Sequence, residues 1–368
     1  MDLVAGMLFQ NLRQDHAGAL SVQRLCPPMR LRFGRLPLLK PTFRNLDRLW
    51  NRFADYPRWL KTRAHEFDLF HLVDHSYGQL LHCLPPHKTV VTCHDLDTFR
   101  CLFYPEQEHR PRWFRAMAAR ILSGFKKAAH VIAVSAATRD DILRHGLFPP
   151  DRVSVVSNGV HPACSPFPDP IADEELERLL PADFQTAKCL LNVGSTMPRK
   201  RLDILLRVFA AVRQQRSDVR LLRVGGPLTS PQRQLARELG VENSIVELSS
   251  LSRPVLASAY RRAQLLLQTS QAEGFGLPLV EAMACGCRVV ATDLPVLREV
   301  AGTAANYCSL EQIGTWKNTV LRLLDQDSDA AGSLQASRER AIAQSARFSW
   351  SENARQTAQI YQTLLDET

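Results

Sequence analysis

A chain of 368 residues has room for two domains of ordinary size, each with its own core. It holds no apolar run of the roughly 18 to 20 residues that cross a bilayer, and its opening stretch lacks the basic start and cleavage site of a signal peptide. A cytoplasmic protein, soluble or peripheral at the inner face of the membrane, is therefore expected. The net charge of +9 falls in the first 150 residues, where 22 Lys and Arg stand against 13 Asp and Glu; residues 151–368 carry 24 of each sign.

The chain opens in helical spacing, with Leu3, Met7, Leu8 and Leu12 on one face. Residues 42–63 set Phe43, Leu46, Trp50 and Phe53 on one side and six basic residues elsewhere. That pattern suits a helix lying on a membrane, or, as we read it, the core side of an ordinary surface helix that Pro57 breaks before its end. Short β-rich runs at 68–73, 88–93 and 130–135 alternate with helical stretches such as Arg112 to Lys127, which predicts parallel strands in a doubly wound α/β sheet. A proline-rich passage from Val160 to Pro181 marks a linker. The strand pattern then repeats at 189–194, 219–226, 244–250, 263–270 and 287–292, and an amphipathic helix follows Arg347. The expected domains are 1–158 and 187–342, joined by a linker at 159–186 and closed by a helix at 343–368. Nine cysteines, at 26, 83, 93, 101, 164, 189, 285, 287 and 308, show neither metal-ligand nor disulfide-framework spacing and read as buried thiols.

The most informative stretch is Gln271 to Val300, which places Glu273 and Glu281 eight residues apart around a glycine loop and a short helix. Pro278 suits the first helical position and Gly286 the stop, so a helix of about two turns runs between them with Glu281 one turn inside. Glu273 falls in the preceding loop, where Gly274 and Gly276 let the backbone approach a ligand and the helix start favours an anion. A diphosphate fits that corner, and the whole reads as a sugar-nucleotide site.

The segment EGFGLPLVEAMACG, with its E-x7-E spacing, resembles the signature of the retaining glycosyltransferases of the GT-B fold, family 4 or group 1. Further matching segments follow the family's order: DLFHLVDHSYGQLLHCLP, VVTCHDLD, AAHVIAVSAATRDDIL, VSVVSNGVHPACSPF, LLNVGSTMPRKRLDILLRVF and LLRVGGP. The resemblance implies two Rossmann-like domains facing a cleft, the first on the acceptor side and the second binding the nucleotide sugar, with the last helix crossing back to the first domain. Members normally open with a strand and a glycine-rich loop ahead of the first helix. This chain opens on the helix, so either it starts downstream of the usual start or the first strand is absent; absence leaves an unpaired sheet edge and a weakened diphosphate pocket.

Transfer from a nucleotide sugar breaks the bond from anomeric carbon to phosphate, and cations must meet the charge that builds on the diphosphate. The resemblance assigns that task to Arg199 and Lys200, which follow the strand ending at Val193, with Gly194 beside them at the sheet's carboxyl end. Arg201 stands where many relatives carry Asn or Gly. Glu281 is expected to accept hydrogen bonds from the ribose hydroxyls, Glu273 to touch hydroxyls of the donor sugar, and Gly274 with the backbone N–H groups of Phe275, Gly276 and Leu277 to meet sugar and phosphate. Base contacts are expected from main chain around Ser249 to Arg253. His94, in TCHDLD, matches the family's HD/HE position and is assigned nearest the reacting carbon, holding a hydroxyl more than acting as a base. His75, Asn158 and Gly159 are candidates for the cleft edge. Asp95 and Asp97 lie in an HDLD context that is not the metal-binding D-x-D of the GT-A fold, so protein cations replace a divalent ion and no cofactor beyond the donor is expected.

The expected partners are a nucleoside diphosphate sugar and a glycan, lipid-linked or small-molecule acceptor. The basic first half suggests an acidic acceptor or an anionic membrane surface. No recognition motif supports nucleic-acid binding, and the lack of G-x-G-x-x-G excludes a dinucleotide oxidoreductase. The competing readings are a GT-B protein that binds a nucleotide sugar or glycan without transfer, which the absent first strand favours, and an epimerase, against which EGFGLPLVEAMACG speaks.

Overall fold

The computed structural model describes residues 2–32, 40–329 and 331–367. The chain divides into two units, Met1–Asn158 with Trp350–Thr368, and Gly159–Ser349.

In the first unit β1 (Phe70–Leu72), β2 (Thr89–Cys93), β3 (His130–Ala133) and β4 (Val153–Val155) form one parallel sheet in the order β1-β2-β3-β4. Strand side chains alternate between faces. Val91 and Cys93 pack with Phe99, Ile121, Phe125 and Val131 in one core cluster. Val90 joins Ile132 and Val156 in another, against Leu8 and Leu12 of the opening helix, Asp2–Asp15, and Ala354, Ala358 and Tyr361 of the closing helix, Trp350–Asp366. Fully burying each such aliphatic chain contributes about 1.5–3 kcal/mol. The final helix thus belongs to the first unit, and Ser351 Oγ donates to Asp15 Oδ2 at 2.7 Å. β1 forms one edge of the sheet. Leu20, Val22 and Leu25 pack near it from an extended segment that makes no ladder with it.

The segment read as a single helix broken by Pro57 is built otherwise. An α-helix spans Lys40–Trp50, a π-helical turn spans Asn51–Asp55, and a further α-helix spans Tyr56–Lys61 with Pro57 in its first turn. The proline ring excludes the bond to the carbonyl four residues back, and the wider turn just before it absorbs the misfit. The apolar stripe is not a core face: Leu46 is 45% exposed and Trp50 47%, whereas Asp47 and Asn51 are fully buried. Asn51 pairs with the backbone N–H and C=O of Arg30, at 2.8 and 2.7 Å, and Asp47 accepts from Arg32 N at 2.9 Å. Phe53 is half-buried against the core, and the side chain of Phe43 lies outside the described residues.

Three histidines in this unit are buried or nearly so. His71 bridges Tyr361 Oη (2.5 Å) and Thr92 Oγ1 (2.7 Å). Burial pushes His71 down to about 3 and His94 down to about 4, and lowers His75 as well. The unfolded chain, with ordinary histidines near 6.5, therefore binds more protons than the folded one between about pH 6.5 and 4, so stability rises with pH across that window. We expect the melting temperature to fall as the pH is lowered from 7 to 5, each fully shifted histidine costing about 1.4 kcal/mol per pH unit below 6.5. Glu281, raised by burial, opposes this as a single group. Calorimetry at pH 7, 6 and 5 checks it, and a flat profile would contradict it.

The second unit holds β5 (Lys188–Val193), β6 (Val219–Val224), β7 (Ile245–Leu248), β8 (Leu265–Gln268), β9 (Arg288–Thr292) and β10 (Ala305–Cys308), all parallel, in the order β10-β9-β8-β5-β6-β7. The chain winds from β5 outward to β7 and then returns to β8 on the other side of β5. The order therefore reverses between β5 and β8, and the carboxyl ends of those two strands are where open α/β sheets bind ligands. The helix Leu202–Arg213 covers one face, burying Leu202, Leu205, Leu206, Phe209 and Val212. The proline-rich passage carries a helix of its own, Pro170–Leu179, capped by Asp169 and tied to the Arg253–Arg262 helix by Asp173–Arg261 (2.7 Å) and Glu177–Arg262 (3.2 Å). Seven of the nine free cysteines are buried; Cys26 is exposed and Cys83 half-buried, contrary to expectation. Among the described residues no helix is long and apolar enough to cross a membrane.

Candidate functional site

The second unit gathers its polar residues at the reversal point. After β5 the chain runs through Gly194 to a single 3-10 turn, Pro198–Lys200; after β8 it runs through Ser270 to Glu273 and the helix Leu277–Ala284. The two loops are sewn together by Gln271 N to Arg199 O (2.7 Å), Arg199 Nη1 to Ala272 O (3.1 Å) and Thr269 Oγ1 to Lys200 O (3.1 Å). Within that frame Glu273 Oε1 accepts from Lys200 Nζ at 2.6 Å, from Ser270 Oγ at 2.7 Å and from Gln268 Nε2, and Arg199 stands 3.8 Å from Oε2. Two cations share one carboxylate, which leaves the cluster net positive.

Arg201 closes the 3-10 turn with φ +47°, among the described residues the one non-glycine with positive φ. It precedes the Leu202–Arg213 helix, and its guanidinium forks onto Asp203 at 2.9 and 2.8 Å. Asn and Gly tolerate this left-handed backbone better than arginine does.

Glu281 is buried in the Leu277–Ala284 helix, where Pro278 occupies the second helical position after Leu277, one later than expected. Its Oε1 accepts from Arg253 Nη1 at 3.0 Å and its Oε2 from Tyr260 Oη at 3.1 Å. Burial pushes its pKa up, and Arg253 and the Tyr260 hydroxyl pull it back. A carboxylate offers about four lone-pair directions, so two remain for a vicinal diol. Gly276 caps the helix at φ +93°, where a Cβ would lie 2.8 Å from Leu297 Cδ2. Gly274 and Phe275 are buried, the Phe275 ring edge-on to Phe348 at 5.5 Å, so Phe275 offers the site its backbone only. Leu277 is half-buried.

In the first unit His94 follows β2. Its Nε2 donates to Val73 O at 2.8 Å, which fixes the proton there and leaves Nδ1 as an acceptor, and its backbone N–H donates to His75 Nδ1 at 3.4 Å. With burial holding its pKa near 4 the ring is neutral at physiological pH. His75 is buried with its ring edge-on to Phe99 and Phe125, and among the described residues its Nε2 has no hydrogen-bond partner. Asn158 and Gly159 are buried where the two units divide. The residues that sequence reasoning missed are Gln268, Ser270 and Tyr260. The first two lie five and three residues before Glu273 and were legible as polar residues ending an apolar strand; Tyr260, 21 residues before Glu281, carries no local signal.

Two parallel α/β units, one with a cationic cluster and paired carboxylates at its reversal point, define a protein of the GT-B class, and the comparisons agree. Residues 16–163 match the family model described as Glycosyltransferase Family 4, and residues 180–345 the model described as Glycosyl transferases group 1. The chain belongs to this glycosyltransferase family. It is 34% identical over 231 residues to D-inositol 3-phosphate glycosyltransferase of Thermobispora bispora, an alignment taking in 59% of this chain and 52% of that one. The chain spans about half the length of the curated relatives it matches. Among solved structures, sucrose-phosphate synthase from Thermosynechococcus elongatus superposes with a TM-score of 0.70 at 22% identity, covering 94% of this chain and 86% of that one. Anabaena HepE, solved in complex with UDP and glucose, gives 0.67 at 21% identity, covering 84% and 82%.

Proposed function

We propose that this protein is a retaining, metal-independent glycosyltransferase that moves a hexose from a nucleoside diphosphate sugar to a glycan, lipid or small-molecule acceptor. The observation that carries the reading is the cluster of Arg199, Lys200 and Glu273 at the carboxyl ends of β5 and β8. The cations there are placed to take the charge of a departing diphosphate, so the protein supplies what a divalent ion would otherwise supply. In the reaction the bond from the anomeric carbon to the phosphate oxygen breaks with its electron pair kept by that oxygen, the acceptor oxygen bonds to the carbon on the same face, and the acceptor proton goes to the leaving diphosphate. Glu273 positions the sugar: an oxygen accepting three hydrogen bonds, one from an ammonium, is a poor nucleophile. Glu281 takes the ribose diol, and His94, neutral, accepts a hydroxyl of the donor sugar. The complex of HepE with UDP and glucose favours a UDP sugar. The basic first half of the chain, with the phosphorylated substrate named for the inositol phosphate relative, favours an anionic acceptor.

The test is turnover on UDP, GDP and ADP sugars with and without EDTA, with product configuration read by NMR. One donor should turn over with retained configuration, unaffected by EDTA, and Glu281→Ala should lower the rate at least tenfold by removing the ribose contact and leaving Arg253 unpaired. Binding without turnover would favour the non-catalytic reading, and an inverted product would exclude retention.

The exposed stripe of Leu46, Leu49 and Trp50, beside exposed Arg44 and Arg48, supports peripheral contact with an anionic membrane. Vesicles containing phosphatidylglycerol should pull down the protein at low salt, and Trp50→Ser should weaken that binding; equal binding to neutral vesicles would count against it.

A further inference from the structure

One buried cation in the second unit has no part in the reading above. Arg223, on β6, is fully buried, and among the described residues its hydrogen bonds go only to backbone carbonyls: Nη2 to Gly194 O at 2.9 Å and Nη1 to Gly226 O at 2.5 Å. Its Nε is buried without a partner. Among the described residues it makes no ion pair. Glu247, its register partner on β7, is held instead by Arg233 at 2.8 Å and by the backbone N–H of Leu228. An arginine stays protonated, and burial is costly to this one: desolvation pulls its pKa down, and the charge of Glu247 on the next strand offsets that only in part. The residues on either side of Arg223, Leu222 and Val224, are buried and apolar.

The position of this charge is informative. The Gly194 carbonyl is pinned between the Arg223 guanidinium and Gly225, where a Cβ would lie 2.2 Å from that oxygen. On the other side of Gly194 runs the Lys200 chain, whose Cε lies 3.8 Å from where a Cβ on Gly194 would be. Arg223 and Lys200 therefore flank one residue, the first beyond β5 at the reversal point. We infer that Arg223 is a positioning residue of the donor site, a fixed buried cation that sets the Gly194 carbonyl and lends its charge to the diphosphate from beneath the glycine loop. This rests on the donor reading above. Water is excluded around the guanidinium, so its field is screened less than that of a surface arginine.

The experiment is calorimetric titration of UDP, GDP and ADP, and of the matching nucleosides, into the wild type, Arg223→Leu and Arg223→Lys, with melting temperatures taken alongside. Arg223→Leu should melt somewhat lower than the wild type, because the Gly194 and Gly226 carbonyls lose their donor. It should bind the nucleoside unchanged and the diphosphate about tenfold or more weakly, whereas Arg223→Lys, which keeps the charge, should recover most of the loss. A merely structural role predicts an equal loss for nucleoside and diphosphate, with no recovery by Arg223→Lys beyond what its melting temperature recovers. That result, or unchanged diphosphate binding by Arg223→Leu, would overturn the inference. Should Arg223→Leu fail to fold, Arg223→Gln keeps donors for the carbonyls without the charge. It must then bind diphosphate more weakly than Arg223→Lys, and equal affinities would overturn the proposal. A wild type that binds none of the nucleotides would instead overturn the donor reading itself.

Discussion

Replacing Lys200 by alanine is expected to lower kcat by roughly 10² to 10³, the cost of losing one preorganised charge contact at a leaving group. The ammonium sits 2.6 Å from Glu273 at the carboxyl ends of β5 and β8, and the two side chains are 14% and 7% exposed. Its removal has two separable consequences. The departing diphosphate loses a cation whose contact strengthens as charge develops, so kcat suffers more than KM. The Glu273 carboxylate also keeps Ser270 and Gln268 but loses its near counter-ion, with Arg199 at 3.8 Å the remaining charge. Breaking a mostly buried pair from one side costs about 3 kcal/mol. The double variant Lys200→Ala/Glu273→Ala should thus regain melting temperature over the single variant without regaining turnover. Steady-state kinetics and calorimetry on the three variants check both halves. A wild-type kcat in Lys200→Ala would remove the cluster from the mechanism.

Gly225→Ala should be the most damaging methyl group in the second unit. Gly225 has φ +121°, a conformation L side chains rarely adopt, and its new Cβ would stand 2.2 Å from the Gly194 oxygen and 2.8 Å from its carbon. Both obstacles are backbone, fixed by Gly194 N to Val224 O at 2.9 Å and Gly225 N to Leu248 O at 3.0 Å, so neither yields as a flexible side chain would. Strain at such a φ costs about 1–3 kcal/mol, and forced overpacking a similar amount. At about 2–4 °C per kcal/mol for a domain of this size the melting temperature should drop by roughly 10 °C. Because relief comes only by moving Gly194, donor affinity should fall together with stability. Gly226→Ala, with nothing within 4 Å of its Cβ, should carry the cost of its positive φ alone. Equal effects from the two variants would contradict the packing argument.

How far the sequence alone carried these assignments depended on how local the signal was. Strands buried on both faces, such as β2 and β5, read clearly because burial demands an unbroken apolar run. β10, whose Ala305–Tyr307 are only half-buried, lacked that run and escaped notice. The helix carrying Glu281 was legible from Pro278 and Gly286, to within one residue at its start. The 42–63 segment was misread because periodicity reports an apolar face without saying which way it points; buried Asp47 and Asn51 are held by the backbone of Arg32 and Arg30, 15 and 21 residues upstream. Arg223 and Tyr260 were invisible for a related reason. A lone arginine in an apolar strand and a tyrosine in a helix take their meaning from partners brought close by the sheet order.

The most direct test of the donor site is a crystal structure of the protein grown with saturating UDP or, if titration prefers it, GDP or ADP. The diphosphate is expected against Gly194, Arg199 and Lys200, and the ribose hydroxyls on Glu281 between Arg253 and Tyr260. Nucleotide bound elsewhere in the molecule, or none at saturating concentration, would contradict the assignment.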